Sequence, residues 1–533
     1  MKTGTLKTLL LAGCVLGAGV VQTAGGQSAG AQTLRMAVGA QVTSLDPHYH
    51  NISPNNAFAA TIFSNLMEMD PNSRPVAALA ESWRPIGEDV WELKLRAGVT
   101  FHDGTPFTAD DVAFTLDRIP KVVNSPGSFR TYTHSIIGVE VVDPLTVRLQ
   151  TRGPDPVLPA NLSQVPMLSR KIHEGASTED FNSGRLAIGT GPFRIIGGRS
   201  PDRIELERND SYWDGAEPWQ RVEYRMVTNA AARTSSLLAG DVDFIDQVPT
   251  ADLARMRRDE SIRISEIDSL RLVYFHFDHM RDGPSPFITD NAGQPLPRNP
   301  LRDVRVRRAL ALAVDRAAIV ERVMEGNAAA INQFMPPGAF GHAPELAPPP
   351  PADPAQARRL LAEAGYPEGF RITLHGPNDR YPNDARIVQA VAQMWSRIGV
   401  RTAVDVQPFS SFVTRASRQE FSSFLVSWGS STGEPSGGMR SVLATFDRSR
   451  GMGAVNRGRY SNPEFDALLM RGMRELDDAK REALLQEAMR MAMADQAIIP
   501  THVQRNVWAM RQGFAHTPRT DERTRPQDVR PAN

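Results

Sequence analysis

Several short constellations carry residue types able to do chemistry, and each has to be weighed against a plainer role. His48 and His50 alternate within one segment, and two imidazoles so close are potential metal ligands. No Cys, His or carboxylate pattern nearby completes a metal site, so they read as surface or cleft histidines and no metal is expected. Asp110 and Asp111 form a carboxylate pair of the kind used in acid–base catalysis. Thr108 stands three residues before Asp111, which is capping-box spacing and accounts for that carboxylate without catalysis. Gly189-Thr190-Gly191-Pro192 has the small residues of a phosphate cradle. It lacks the Lys-Ser/Thr of a P-loop, and Pro192 removes an amide donor, so a turn between strands is expected.

A more promising group lies further on. Trp428 and Gly429 follow the apolar run Phe424-Leu425-Val426, and a Gly/Ser-rich stretch containing Glu434-Pro435 comes next. An aromatic residue at a strand end beside a polar loop is where α/β proteins place ligand sites. Trp428 therefore reads either as a stacking surface for a ligand or as a packing residue. Arg302, Arg305, Arg307 and Arg308 cluster at the start of a helix, and a solvated basic face is the expectation there. No Gly-x-Ser-x-Gly elbow, His-Glu-x-x-His motif or kinase signature occurs, which lowers the expectation of an enzyme.

The elements that would position these residues are well punctuated. Leu34 to Val38 and Trp91 to Leu95 alternate as strands, and the unbroken run Leu272 to Phe277 predicts a strand buried on both faces. A Pro/Gly-rich stretch from Arg281 to Pro300 follows it and reads as a lobe boundary. Asp353-Pro354 opens a helix with Ala357, Leu360, Leu361 and Ala364 on its core face and Gly365 as its stop. A second helix buries Ile387, Val391, Met394 and Ile398 and feeds an alternating strand from Val400 to Val406. Asn462-Pro463 starts another helix in the same way. The first part of the chain thus reads as mixed α+β and the later part as α/β.

Composition sets outer limits. The 533 residues exceed one domain, and 60 basic residues against 60 acidic ones give no charge excess that would favour nucleic acid. Lys2 and Lys7 precede an apolar run from Leu9 to Val21 and a polar region ending Ala29-Gly30-Ala31, which is the form of a secretory signal over residues 1–31. Leu11-Ala12-Gly13-Cys14 also has the form of a lipobox, so lipid anchoring at Cys14 stands as the alternative. Cys14 is the sole cysteine, which rules out disulfides and thiolate chemistry in the exported fold. The last residues, 519–533, are polar, charged and Pro-containing, and read as a disordered tail.

Read in order, the chain resembles the bacterial extracellular solute-binding protein family 5, the peptide- and nickel-binding group of ABC importers. The resemblance is carried by LAESW (Leu79 to Trp83), LRAGVTFHDGTPFTADDVAFTLDRI (Leu95 to Ile119), GTGPFRI (Gly189 to Ile195) and NDSYWDGAEPW (Asn209 to Trp219). It continues through LLAGDVDFID (Leu237 to Asp246), DVRVRRALALAVDRAAIV (Asp303 to Val320), LLAEAGYPEGF (Leu360 to Phe370), YSNPEFDALL (Tyr460 to Leu469) and IIPTHVQRNVWAMR (Ile498 to Arg511).

The resemblance implies an α/β, two-lobe periplasmic binding protein fold of the class II type, with an extra α+β subdomain inserted in lobe I. Lobe I would span 32–272 with the insertion at about 47–187, lobe II 273–498, and a return to lobe I 499–518. It also implies a periplasmic monomer that captures a small solute, a peptide or peptide-like amine first and a nickel-type metal chelate as the alternative. Partners would be ABC permease and ATPase subunits, with no cofactor and no catalytic residue. In peptide binders of the family an aspartate after the Trp-bearing strand pairs with the ligand's amino terminus. Glu434 occupies the corresponding place here, so the implied ligand-binding set is Tyr49 after the Leu45-Asp46-Pro47 turn, Trp428, Gly429 and Glu434.

Overall fold

A computed structural model describes residues 33–532; the signal segment and Cys14 lie outside the described residues. The chain folds as two lobes of mixed α/β structure around one twelve-stranded sheet. Lobe II contributes Ile288–Thr289, Arg371–Pro377 with Arg401–Gln407 beside it, and Ser423–Gly429. Lobe I contributes Phe244–Ile245, Thr33–Val38, Arg221–Met226, Arg203–Arg208 and Phe193–Arg199. Between them run two long antiparallel strands, Ile262–Phe277 and Ile498–Arg511, which belong to both lobes.

The apolar run in the first of these strands is buried on both faces because each face meets a different core. Val273, Phe275 and Phe277 enter a core with the helices Val304–Ala313 and Asp384–Arg397. Leu272 and Tyr274 enter a second core with Phe424, Phe465 and Met489. Alternation puts successive side chains on opposite sides, so a run that is apolar apart from the buried His276 feeds two interiors at once. The same helices show the local signals at work. Asp353 accepts from the Gln356 amide at 2.8 Å, and Asn462 accepts from the amides of Glu464 and Phe465. On Asp384–Arg397, Ile387, Val391 and Trp395 are fully buried, and the Trp395 indole N–H donates to the Leu310 carbonyl at 3.0 Å.

A separate four-stranded antiparallel sheet is formed by Ala80–Pro85, Val90–Leu95, Thr146–Thr151 and Ile136–Asp143, in that spatial order. Its own core includes Leu93, Phe101, Val112 and Leu149. The capping box is present: the Thr108 amide donates to Asp111 at 2.8 Å, and the other oxygen of Asp111 accepts from the Arg170 amide at 2.8 Å. Both oxygens of this carboxylate are thus held by backbone. The Gly189–Pro192 turn lies against the end of the helix Ser53–Ile62, with the Gly191 amide donating to the Ile62 carbonyl at 2.9 Å.

Two expectations need correction. Residues 519–532 are ordered and packed, not a disordered tail: Arg519, Arg523, Arg525 and Asp528 are buried, and Val529–Pro531 pairs with Phe514–His516. The reason is charge pairing across the whole chain. Arg525 forms a two-bond pair with Asp528 and reaches Glu68 at 3.0 Å, while Arg519 pairs with Asp521 and donates to the Met69 carbonyl at 2.7 Å. The basic cluster before residue 310 is also not a uniformly solvated face. Arg307 is buried and donates to the carbonyls of Leu301, Arg302, Asp495 and Gln496, tying its helix to the start of the second crossing strand.

Candidate functional site

The two crossing strands change register between Asp268 and Leu272, and such an irregularity bends and twists a strand. This break lies where the chain passes between the two lobes. Its middle residue Leu270 donates to the Thr520 carbonyl and accepts from the Ser430 amide, each at 3.1 Å, so the break holds the C-terminal segment on one side and the 430–434 loop of lobe II on the other. On either side of the cleft the lobes touch directly. Gln164 of lobe I donates to the Ser431 carbonyl at 3.1 Å, and Asn383 of lobe II donates to Thr250 Oγ1 at 3.3 Å.

Charges of both signs stand at the strand break between the lobes. Arg271 binds Glu522 through two hydrogen bonds of 2.7 and 2.9 Å and reaches Ser427 Oγ at 3.3 Å. The Glu522 carboxylate pushes the Arg271 guanidinium further above its ordinary range. The side chains keep 21% and 25% of their surface exposed, so the pair is fixed yet reachable. Gly429 lies opposite Arg271 in the strand pairing, and a Cβ there would come within 2.9 Å of the guanidinium. Its role is to leave room for Arg271. Tyr381 completes this wall, its hydroxyl accepting from the Ser427 amide at 3.3 Å.

The residues expected as ligand contacts are not all brought together. Trp428 is half-buried against the second lobe II core, and its indole N–H has no partner among the described residues. Tyr49 is half-buried in lobe I, where its carbonyl accepts from Ser125 Oγ at 2.6 Å. Glu434 is the clear departure. Its side chain is 6% exposed and paired with Arg481 at 2.8 Å, and it also accepts from the Ser436 amide at 3.0 Å and the Ser436 hydroxyl at 2.7 Å. Its carboxylate is therefore held by Arg481 and Ser436 within lobe II, at the wall of a cavity between the lobes. The partly exposed charge pair at the strand break, Arg271 and Glu522, escaped the sequence reading. The polar Asp268-Ser269 interrupting an apolar strand was a signal for the first; Glu522 lay in the stretch read as tail.

His48 lacks a lone pair for a metal. Its Nε2 bonds the Pro166 carbonyl at 2.8 Å and its Nδ1 meets Arg118 at 3.1 Å; burial, with Arg118 adding to it, pushes its pKa down to about 3. His50 Nδ1 bonds Thr43 Oγ1 at 2.9 Å. Among the described residues no group of three His, Cys, Asp or Glu is placed to hold a metal ion, and no helix is long and apolar enough to cross a membrane.

Further out, between the lobe I subdomain and lobe II, lies a cavity of about 570 Å³. Trp83, Trp91 and Arg74 line it from lobe I, and Phe340, Glu434 and Arg481 from lobe II. The lobes thus enclose space beside the 430–434 loop.

The comparisons with known proteins agree with this architecture. Heme-binding protein A of Haemophilus influenzae is 29% identical over 464 residues, covering 81% of this chain and 80% of that protein. Glutathione-binding protein GsiB of Escherichia coli O157:H7 is 26% identical over 488 residues, covering 90% of each. Among solved structures, HbpA2 from Haemophilus parasuis superposes with a TM-score of 0.80 at 24% identity, over 94% of this chain and all of that one. The periplasmic murein tripeptide-binding protein MppA in its unliganded open form gives 0.78 at 22% identity, over 94% and 97%. These two likenesses speak to the fold. The family of bacterial extracellular solute-binding proteins, family 5, matches residues 74–449, well over half of the sequence, and the chain belongs to that family of ABC-importer binding proteins.

Proposed function

We propose that this protein captures a small zwitterionic, peptide-like solute in the periplasm and delivers it, as a closed monomer, to the permease and ATPase subunits of an ABC importer, with no chemistry done on the solute. The observation that carries this reading is the Arg271–Glu522 pair at the strand break between the lobes. A zwitterion offers a carboxylate to the planar fork of Arg271 and an ammonium to Glu522, so each protein charge trades one partner for an equivalent one. Relatives named for binding glutathione and, among solved structures, a murein tripeptide support a peptide-like solute. The occupied nitrogens of His48 weigh against a metal chelate held by the two histidines.

Solute that bonds the hinge and both lobe walls favours the closed form, and only that differential affinity lets a permease distinguish loaded from empty protein. Calorimetry of the exported protein against di- and tripeptides, glutathione and free amino acids tests the reading. A member of that panel should bind, and Arg271→Ala should weaken it by about a hundredfold or more, the loss of a charge-assisted, two-bond contact. No binding across the panel, or binding unchanged in Arg271→Ala, refutes the assignment.

A further inference from the structure

The outer cavity is separate from the hinge charges, and its lining has a pattern of its own. Its aromatic surfaces come from both lobes: Trp83 and Trp91 from the subdomain sheet, Phe340 from lobe II. Four prolines, Pro75, Pro85, Pro156 and Pro159, fill the intervening wall and add apolar surface without amide donors.

The polar groups divide cleanly by whether they are used. Glu434 is saturated by Arg481 and Ser436, and Glu482 accepts from the Gly341 amide at 2.9 Å. Asp478 is 84% exposed at the rim. The groups without partners are donors. Arg481 is buried at 5% exposure, holds Glu434 with Nη2, lies over the Phe340 ring at 4.7 Å, and has its Nε shielded from solvent with no acceptor. Neither Trp83 nor Trp91 has an acceptor for its indole N–H among the described residues. The Arg74 guanidinium likewise has none. A buried donor such as Arg481 Nε is rarely left unmet in a folded protein, and a cavity that sets it beside aromatic faces, two unpaired indole N–H groups and the exposed Arg74 guanidinium is suited to a flat ligand that brings acceptors.

We propose that this cavity is a second binding compartment, for an aromatic ring bearing a carboxylate. The ring packs between the tryptophans and Phe340, and the carboxylate pairs with Arg74 at the rim. Its volume falls within the range of small-molecule sites. Because its walls belong to both lobes, an occupant braces the closed form from outside the hinge.

Phenylacetate is the probe, with phenethylamine as its cationic counterpart and cyclohexylacetate as its non-aromatic one. Calorimetry and intrinsic tryptophan fluorescence on the whole exported protein should show saturable phenylacetate binding, and phenethylamine and cyclohexylacetate should each bind about tenfold weaker or worse. Arg74→Ala and Trp83→Ala should each weaken phenylacetate by about tenfold; Arg74 is exposed and Trp83 half-exposed, and unchanged thermal melting verifies that both variants fold. Arg271→Ala should leave phenylacetate binding intact, which separates this compartment from the hinge site. The proposal is overturned by non-saturating titration into the millimolar range, by phenethylamine binding as well as phenylacetate, or by phenylacetate binding that ignores both Arg74 and Trp83.

Discussion

Exchanging Arg481 for methionine tests whether Glu434 belongs to the interior of lobe II or to the ligand. The two side chains are each 6% exposed and meet at 2.8 Å, and the guanidinium also covers the Phe340 ring. With Arg481 gone, Glu434 keeps the Ser436 amide and hydroxyl, but its charge stays in a poorly solvated pocket with no counter-ion. Removing one member of a buried ion pair costs about 3–5 kcal/mol. Glu434→Gln should cost less than that, because the amide oxygen still accepts from Ser436 and Arg481 keeps the exposed Asp478 at 3.8 Å. The double variant Glu434→Gln/Arg481→Met carries neither charge and should recover most of the loss, for a coupling energy of about 2–3 kcal/mol.

Guanidinium unfolding of the four proteins, followed by circular dichroism, measures that cycle. In parallel, Glu434→Gln should leave the affinity for an amine-bearing solute unchanged. A coupling below about 0.5 kcal/mol is what a solvent-exposed pair would give, and would refute internal pairing. An intact coupling together with a large loss of solute affinity in Glu434→Gln would return that carboxylate to the ligand.

Other outcomes are equally open to measurement. Gly433 has φ +76° and abuts the Ser73 carbonyl across the cleft, so Gly433→Ala adds a methyl where the lobes meet; it should hold the lobes apart, enlarge the radius of gyration in X-ray scattering and weaken solute binding. Burial pushes His276 down to about 3 and His173, His502 and His516 to about 4, so each is neutral in the fold at pH values where the unfolded chain protonates. Their stabilising effect is complete above about pH 6.5 and declines as pH falls toward the folded values, by up to about 1.4 kcal/mol per unit for each histidine. Denaturation midpoints that stay flat from pH 7 to 5 would contradict this. Burial would raise the Asp521 carboxyl, but Arg519, Arg523 and Arg525 outweigh it and hold it at about 2. Its contribution of about 2 kcal/mol is present above about pH 4 and lost as pH falls toward 2, so the stability gap between the protein and Asp521→Asn should close over that window.

What could be read from the sequence is what local chemistry decides. Thr108 and Asp111, Asp353 and Pro354, and Asn462 and Pro463 are helix starts written within a few residues, and each was legible. The run Leu272 to Phe277 was legible as a doubly buried strand because apolar and aromatic residues stand on both of its faces, with His276 its one strongly polar member. The pairing of Glu434 was not legible because its partner lies 47 residues away on another helix, and spacing within a loop carries no trace of Arg481. The segment after residue 518 was misplaced for the same reason on a larger scale. Arg525 is matched by Glu68, 457 residues distant, and a charge count over the tail alone looks like a solvated chain. Aromatic and apolar residues announce burial; paired charges do so only when both partners are known.

The ordered C-terminal segment also bears on how the lobes move. It is bound to lobe I through Arg523 and Gln164, Arg525 and Glu68, and the Trp219 indole on the Val529 carbonyl. Yet it delivers Glu522 to Arg271 and Thr520 to Leu270, both at the strand break. The hinge charge pair is therefore anchored to lobe I, while Ser427, Gly429 and Tyr381 move with lobe II. Bonds between the lobe surfaces, such as Gln164 to Ser431 and Asn383 to Thr250, are neutral hydrogen bonds worth about 0.5–1.5 kcal/mol each. Contacts of that size hold a closed form only loosely. Moving the balance from almost wholly open to almost wholly closed takes about 5.5 kcal/mol of differential binding. A zwitterion that joins the anchored Arg271–Glu522 pair to the moving wall of lobe II supplies charge-assisted bonds on both sides of the hinge, adding to the one long contact of 3.3 Å that Arg271 already makes with Ser427.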